Sequence, residues 1–295
     1  MQGMSSSSLG AAGHRPTDEA YLDLDGAWAS QQVVTRRIDA GEWGPRLRFS
    51  TPASLIEEFF RAIELDSPRF TLFGSGDFHH LTALWLRAMP EPFTLVSFDN
   101  HPDWDVRPPK WSCGAWVNRA LELSHVEKIS IWGCGNFECW WPGQFFGNRR
   151  AERRGRLEVH PWADDRAPRD RKRPGAILRA DWQDKFGRFV QSIAGRPIYV
   201  TIDLDCLVRE EAVTNWENGR LTTDDLVWAI QQLRSSSDLI AGDVCGAFSE
   251  PHYARRKQRL AATFDHPKLV LPAPDQIQDI NLTALAKIWP ALVGR

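Results

Sequence analysis

Short apolar runs rich in β-branched and aromatic residues recur along the chain, separated by stretches with helical spacing. Residues 69–74 (RFTLFG), 93–99 (FTLVSFD), 128–134 (KISIWGC) and 197–205 (PIYVTIDLD) read as strands. So do 156–162 and 239–248. Helices are expected over 80–89, 114–123 and 181–194, the last from apolar residues at Trp182, Phe186, Phe189, Val190 and Ile193. Thr222 and Thr223 offer an N-cap and Asp224 and Asp225 favour a first turn, which predicts a helix running to about Arg234. A closing helix is expected over 279–293. Strands alternating with helices predict an α/β fold with a mostly parallel sheet and helices on both faces, a three-layer α/β/α sandwich.

The length of 295 residues suits one large domain over 17–295. Residues 1–16, with a serine run and several glycines, read as a flexible tail without a signal-peptide core. The arginine-rich stretch 147–173 is expected to be a solvated excursion. A net charge of −2 gives no electrostatic argument for nucleic acid, and no apolar run approaches the roughly 20 residues of a membrane span. Five scattered cysteines, an odd number, argue against a disulfide framework and point to a reduced, cytoplasmic setting. Fourteen tryptophans are unusual, and several lie between Trp104 and Trp141. They read as packing against a sheet face, or as a wall able to stack on a flat cation.

Three expected strands run into metal-ligand residue types: Gly74–His80 (GSGDFHH), Asp99–Asp103 (DNHPD) and Asp203–Asp205 (DLD). One such cluster could simply cap a helix or close a turn. Three at three strand ends, where open parallel sheets carry their functional residues, call for another explanation. In extended backbone alternate side chains share a side, so Asp99, His101 and Asp103 can converge, and so can Asp203 and Asp205. Four gathered carboxylates repel and raise one another's pKa, and divalent cations cancel that charge. Carboxylate-dominated ligation with some imidazole suits manganese better than zinc. Paired metals can activate a water for attack on an electrophilic carbon.

These segments resemble the arginase and agmatinase (ureohydrolase) family. That family carries a Gly-Gly-Asp-His-Ser motif, then Asp-Ala-His-x-Asp, then Asp-x-Asp, each at a strand end and in that order. The resemblance implies the three-layer α/β/α sandwich and two manganese ions per chain. One ion would be held by His79, Asp99, Asp103 and Asp203, the other by Asp99, His101, Asp203 and Asp205, with Asp99 and Asp203 bridging. It implies hydrolysis of a guanidino group with release of urea, and an assembly of identical subunits.

The chain departs from the family in several places. Phe78 is inserted between Asp77 and His79, which leaves His80 as an alternative ligand. Cys113 stands where the family has a proton-shuttling histidine, and a thiol could take that role. Gly246 stands in register with the guanidinium-binding glutamate, so Glu250 is the nearest replacement. The loop between Asp103 and Ser112 is short and carries Trp104 and Trp111, with Trp116 just beyond. That predicts an open, aromatic-rimmed site, suited to a guanidino compound larger than free arginine or to arginine within a peptide. The alternatives are a metal-dependent amidohydrolase or deacetylase on the same fold, and a non-catalytic metal-binding protein.

Overall fold

The computed structural model describes residues 18–28, 34, 36–63, 68–89 and 91–295. The tail expected over 1–16 lies outside them. Eight strands form one sheet: β1 (Glu19–Asp23), β2 (Arg37–Asp39), β3 (Phe70–Leu72), β4 (Phe93–Phe98), β5 (Val126–Cys134), β6 (Leu157–Pro161), β7 (Pro197–Asp203) and β8 (Asp238–Cys245). Their order is β2-β1-β3-β8-β7-β4-β5-β6, and every pair is parallel.

The side-chain alternation of the central strands divides the core in two. Val96, Phe98, Ile198, Val200, Ile202 and Val244 point to one face. There they meet the helices Trp182–Ser192, Thr223–Ser236 and Pro274–Val293 through Phe186, Ile230, Leu285, Ile288 and Trp289. Phe93, Leu95, Ile129, Ile131 and Tyr199 point to the other face, where they meet Ile56 and Phe59 of the helix Ala53–Ala62 and Trp116, Val117 and Ala120 of Trp116–Leu121. The three-layer sandwich is therefore present, with apolar side chains on both faces of the sheet.

Several local expectations change. The helix expected over 80–89 is broken into a 3-10 turn Gly76–Leu81, one α turn Thr82–Trp85 and a second 3-10 turn Leu86–Ala88. The strand expected over 239–248 stops at Cys245, because Gly246 turns the backbone to φ +103°. The closing helix starts at Pro274, and Thr222 forms the expected cap as part of a capping box with Asp225. The arginine-rich stretch folds into the helix Arg149–Arg153 and strand β6. Its arginines tie backbone carbonyls down: Arg156 donates to Leu121 O (3.0 Å) and Val126 O (2.7 Å), and Arg173 pairs with Glu152 at 2.9 Å.

No helix among the described residues is long and apolar enough to cross a membrane.

Candidate metal centre and its pocket

The carboxyl ends of β3, β4 and β7 deliver six side chains to one place. His79 comes from the 3-10 turn after β3. Asp99, His101 and Asp103 follow β4. Asp203 ends β7, and Asp205 lies in the turn Leu204–Cys206. His79 Nδ1 lies 3.1 Å from Asp99 Oδ2, 3.3 Å from Asp103 Oδ2 and 3.6 Å from Asp203 Oδ2. His101 Nδ1 lies 2.7 Å from Asp205 Oδ2 and 3.8 Å from Asp99 Oδ1. Two overlapping groups, His79–Asp99–Asp103 and Asp99–His101–Asp205, share Asp99, and Asp203 falls in a third with His79 and Cys245. His80 is in none of them. It is fully buried, 3.5 Å from Thr51 Oγ1, and burial lowers its pKa to about 3.

Local backbone geometry aims these groups. Asp103 adopts φ +45°, a left-handed conformation that Asp tolerates better than most residues, and its carboxylate accepts from Trp116 Nε1 at 2.6 Å. Asp203 Oδ1 accepts from its own turn, at Asp205 N (3.0 Å). Glycines crowd Asp203 from both sides: a Cβ at Gly76 would stand 2.5 Å from Asp203 Oδ2, and one at Gly246 would stand 2.2 Å from Asp203 Oδ1. No glutamate side chain could replace Gly246 without displacing Asp203.

A hydrogen-bond chain fixes the tautomer of His79. The single hydroxyl proton of Thr201 goes to Asp243 Oδ1 (2.6 Å), so Thr201 Oγ1, 2.9 Å from His79 Nε2, accepts from that nitrogen. In the neutral ring Nδ1 then carries the lone pair, and it faces three carboxylates. His79 Nδ1, Asp99 Oδ2 and His101 Nε2 are buried atoms with no hydrogen-bond partner among the described residues. Electron pairs meeting without a proton or cation between them are repulsive. The donor set therefore fits divalent ions: hard oxygen donors in the majority, with two imidazoles.

The titration behaviour has the same origin. Burial and the Asp103 and Asp205 charges push Asp99 well above the usual carboxylate range. Burial and Asp205 raise Asp203 to about 7. Burial alone would lower both histidines. The carboxylates around them win, and His79 and His101 are held well above the ordinary imidazole value. Protons take the place that cations would fill.

Above the cluster lies a pocket of about 80 Å³, lined by Asp99, His101, Asp103, Asp203 and Asp205 below and by Asn136, Phe137, Glu138, Trp216, Glu217 and Asp265 at its mouth. Asn100 joins the mouth to the floor. Its backbone N–H donates to Asp205 Oδ1 (3.0 Å), its Nδ2 donates to Glu217 O (2.7 Å), and its Oδ1 accepts from Gly135 N (2.9 Å). The third wall is held by His266, whose Nε2 lies 2.8 Å from Asp77 Oδ1, and by Trp216, whose Nε1 donates to the same oxygen at 3.2 Å.

The mouth is acidic, with no lysine or arginine among its described lining residues. Burial raises the Glu138 carboxyl to about 7, with Asp103 and Asp105 adding to the effect and His101 opposing it. Burial raises Asp265 as well. Among the described residues neither Glu138 nor Asp265 has an ion pair; Glu217 lies 3.5 Å from His101 Nε2. No sequence motif marked these three residues, because they come from separate loops.

The other candidates fall as follows. Cys113 lines the pocket, and burial together with Asp77 and Asp103 pushes its thiol upward. Glu250 does not line it. Glu250 borders a separate cavity with Asp25, Arg48 and His252, and its backbone carbonyl accepts from Arg48 at 3.4 Å. Trp104, Trp111 and Trp116 are buried in the core and do not form the expected rim; the aromatic walls are Phe137 and Trp216.

Solved structures can now be set beside this geometry. The chain superimposes on formimidoylglutamase from Bacillus subtilis with a TM-score of 0.54 at 15% identity, covering 93% of this chain and 86% of the other. For a putative agmatinase from Clostridium difficile the values are 0.53 and 15%, over 94% and 96%. The chain has the arginase-like fold. Arginase from Medicago truncatula aligns at a TM-score of 0.50 and 13% identity over 93% and 85%. At these identities the likeness concerns the fold, with the eight-stranded parallel sheet at its centre. In sequence, an uncharacterized protein of Thermotoga maritima is 28% identical over 178 residues, which make up 60% of this chain and 57% of the relative. No family model matches the chain.

Proposed function

We propose that this chain is a divergent ureohydrolase: a hydrolase that uses two divalent ions, manganese in the first instance, to cleave a guanidino group and release urea. The observation that carries the reading is the pairing of two features in one pocket. The floor is a buried cluster of carboxylates and imidazoles whose charge only cations or protons can balance. The mouth holds Glu138 and Asp265, carboxylates without an ion pair among the described residues, ready for a planar cation. His79, Asp99, Asp103 and Asp203 would hold one ion, and Asp99, His101, Asp203 and Asp205 the other. When bound, the pair supplies an activated water and Lewis-acid polarisation.

The protein's own groups do the rest. Glu138, Asp265 and Glu217 attract the substrate cation and orient it, a task that Glu250 is too remote to share. Trp216 and Phe137 flank its plane and keep water from its sides. Cys113, on the same wall, is the candidate proton relay toward the departing amine.

The substrate proposed is an arginine side chain within a polypeptide. The pocket admits a head group and leaves the remainder outside. Phe137 lines the pocket and is 67% exposed, and Trp141 and Phe145, which follow it in the chain, are 67% and 68% exposed; these side chains offer apolar surface to the flanking residues of a peptide. Among the described residues no lysine or arginine lines the pocket to receive the carboxylate of free arginine. The test is urea release by manganese-loaded protein from arginine-containing peptides, free arginine, agmatine and other guanidino acids. Peptide arginine is expected to be the best of these. Preference for free arginine would overturn the substrate, and no urea from any of them would overturn the activity.

A further inference from the structure

Cys245 is the last residue of β8 and pairs in register with Asp203 at the end of β7. Its side chain is fully buried, and its Sγ lies 3.5 Å from Asp203 Oδ2. The donor atoms of His79, Asp203 and Cys245 all lie within 4.8 Å of one another. They form a third group that overlaps the first at His79. His79 Nδ1, buried and without a hydrogen-bond partner among the described residues, lies 3.6 Å from Asp203 Oδ2. Gly246 makes the approach possible: its positive φ ends the strand and lets the backbone lie against Asp203.

We propose that Cys245 is a sulfur ligand of the ion at His79, which makes that position a mixed nitrogen, oxygen and sulfur site that takes a soft or borderline ion such as cobalt(II) more tightly than manganese(II). The inference rests on the metal-centre reading above and sharpens it. A thiolate shifts the preference of a carboxylate-rich site from hard to borderline ions. Coordination costs the thiol its proton, which leaves to solvent as the ion enters. The two positions then differ: the ion near His101 and Asp205 meets only oxygen and nitrogen, and the ion near His79 meets sulfur too. The alternative role for the thiol is to donate its S–H to Asp203 without touching the ion.

The test is the near-ultraviolet absorption of the full chain loaded with cobalt(II), with the bound metal counted on the same sample. A sulfur-to-cobalt charge-transfer band is expected, retained in Cys113→Ala and lost in Cys245→Ser. X-ray absorption of the wild-type cobalt protein gives the same answer without a variant, through a sulfur shell at about 2.3 Å, as for other thiolate-bound ions. Two bound cobalt ions without the band or the shell would overturn the sulfur ligand and leave the metal centre standing. A band that persists in Cys245→Ser would do the same. Binding of no ion would overturn both.

Discussion

Two buried acidic sites lie side by side in this molecule and are balanced in opposite ways. Asp77 is fully buried, yet its carboxyl is held below the usual value: burial pulls it upward, and Arg48 and His266 outweigh burial. Arg48 Nε donates to it at 2.7 Å and also reaches Ser249, with Asp25 3.6 Å away. In the neighbouring cluster Asp99 and Asp203 are equally buried, have no arginine or lysine paired with them among the described residues, and are raised instead. The first site is complete as a piece of protein. The second is balanced only by protons or by ions from outside. Burial of an acid therefore says little about function until its counter-charge has been found.

The largest effect that would break this contrast is at the uncompensated site. Asp203→Ala is expected to remove metal binding and lower urea release by more than about 100-fold, the upper range for residues that only support a metal ligand. Retained activity with two bound ions would show that the cluster is not the metal site. Next comes the compensated site: Arg48→Met leaves Asp77 and Asp25 buried without their shared cation and should destabilise the fold by about 3–5 kcal/mol in denaturant titration. A loss below 1 kcal/mol would show that Asp77 does not depend on Arg48.

A third test uses pH. Asp203 in the metal-free chain titrates near 7, above the ~3.9 of an unfolded aspartate, so between those values the folded chain keeps a proton that the unfolded chain has released. Stability falls as pH rises through that window. His79 and His101, raised above 6.5, contribute stability that is present below 6.5 and lost at higher pH, in the same direction. Chelator-treated protein should therefore melt lower at about pH 8 than at about pH 6. Metal-loaded protein should do the reverse, since ions need deprotonated ligands. Equal pH slopes with and without metal would refute the idea that protons stand in for ions. The smallest effect is at the mouth: Glu138→Gln should raise KM for a guanidino substrate by roughly ten-fold, the value of one charged hydrogen bond, with little change in kcat. An unchanged KM would remove Glu138 from substrate binding.

What the sequence revealed follows the same division. The floor was legible because its residues are local: Asp99, His101 and Asp103 fall within five positions of one strand end, and Asp203 and Asp205 within three. The choice between His79 and His80 was not, since it turns on how the Gly76–Leu81 turn winds. The helix Arg256–Asp265 was invisible because it buries only Gln258 and Ala262 and so lacks an apolar stripe. With it went Asp265. The helix Ala53–Ala62 did carry a signal, Ile56 and Phe59 at helical spacing after Pro52. Glu138 and Glu217 reach the pocket through loops stitched by Asn100, a long-range arrangement that no spacing rule records. Glu250 was attractive in sequence for its place before Pro251, yet the turn at Gly246 carries the chain past the site.

The most direct measurement is the manganese content of purified protein after equilibration with excess ion and removal of the unbound fraction. It should be made on the wild type and on Asp99→Asn, which alters the carboxylate shared by both groups. Two ions per wild-type chain and close to none in the variant are predicted. A wild type that retains no ion, or a variant that still holds two, would contradict the account.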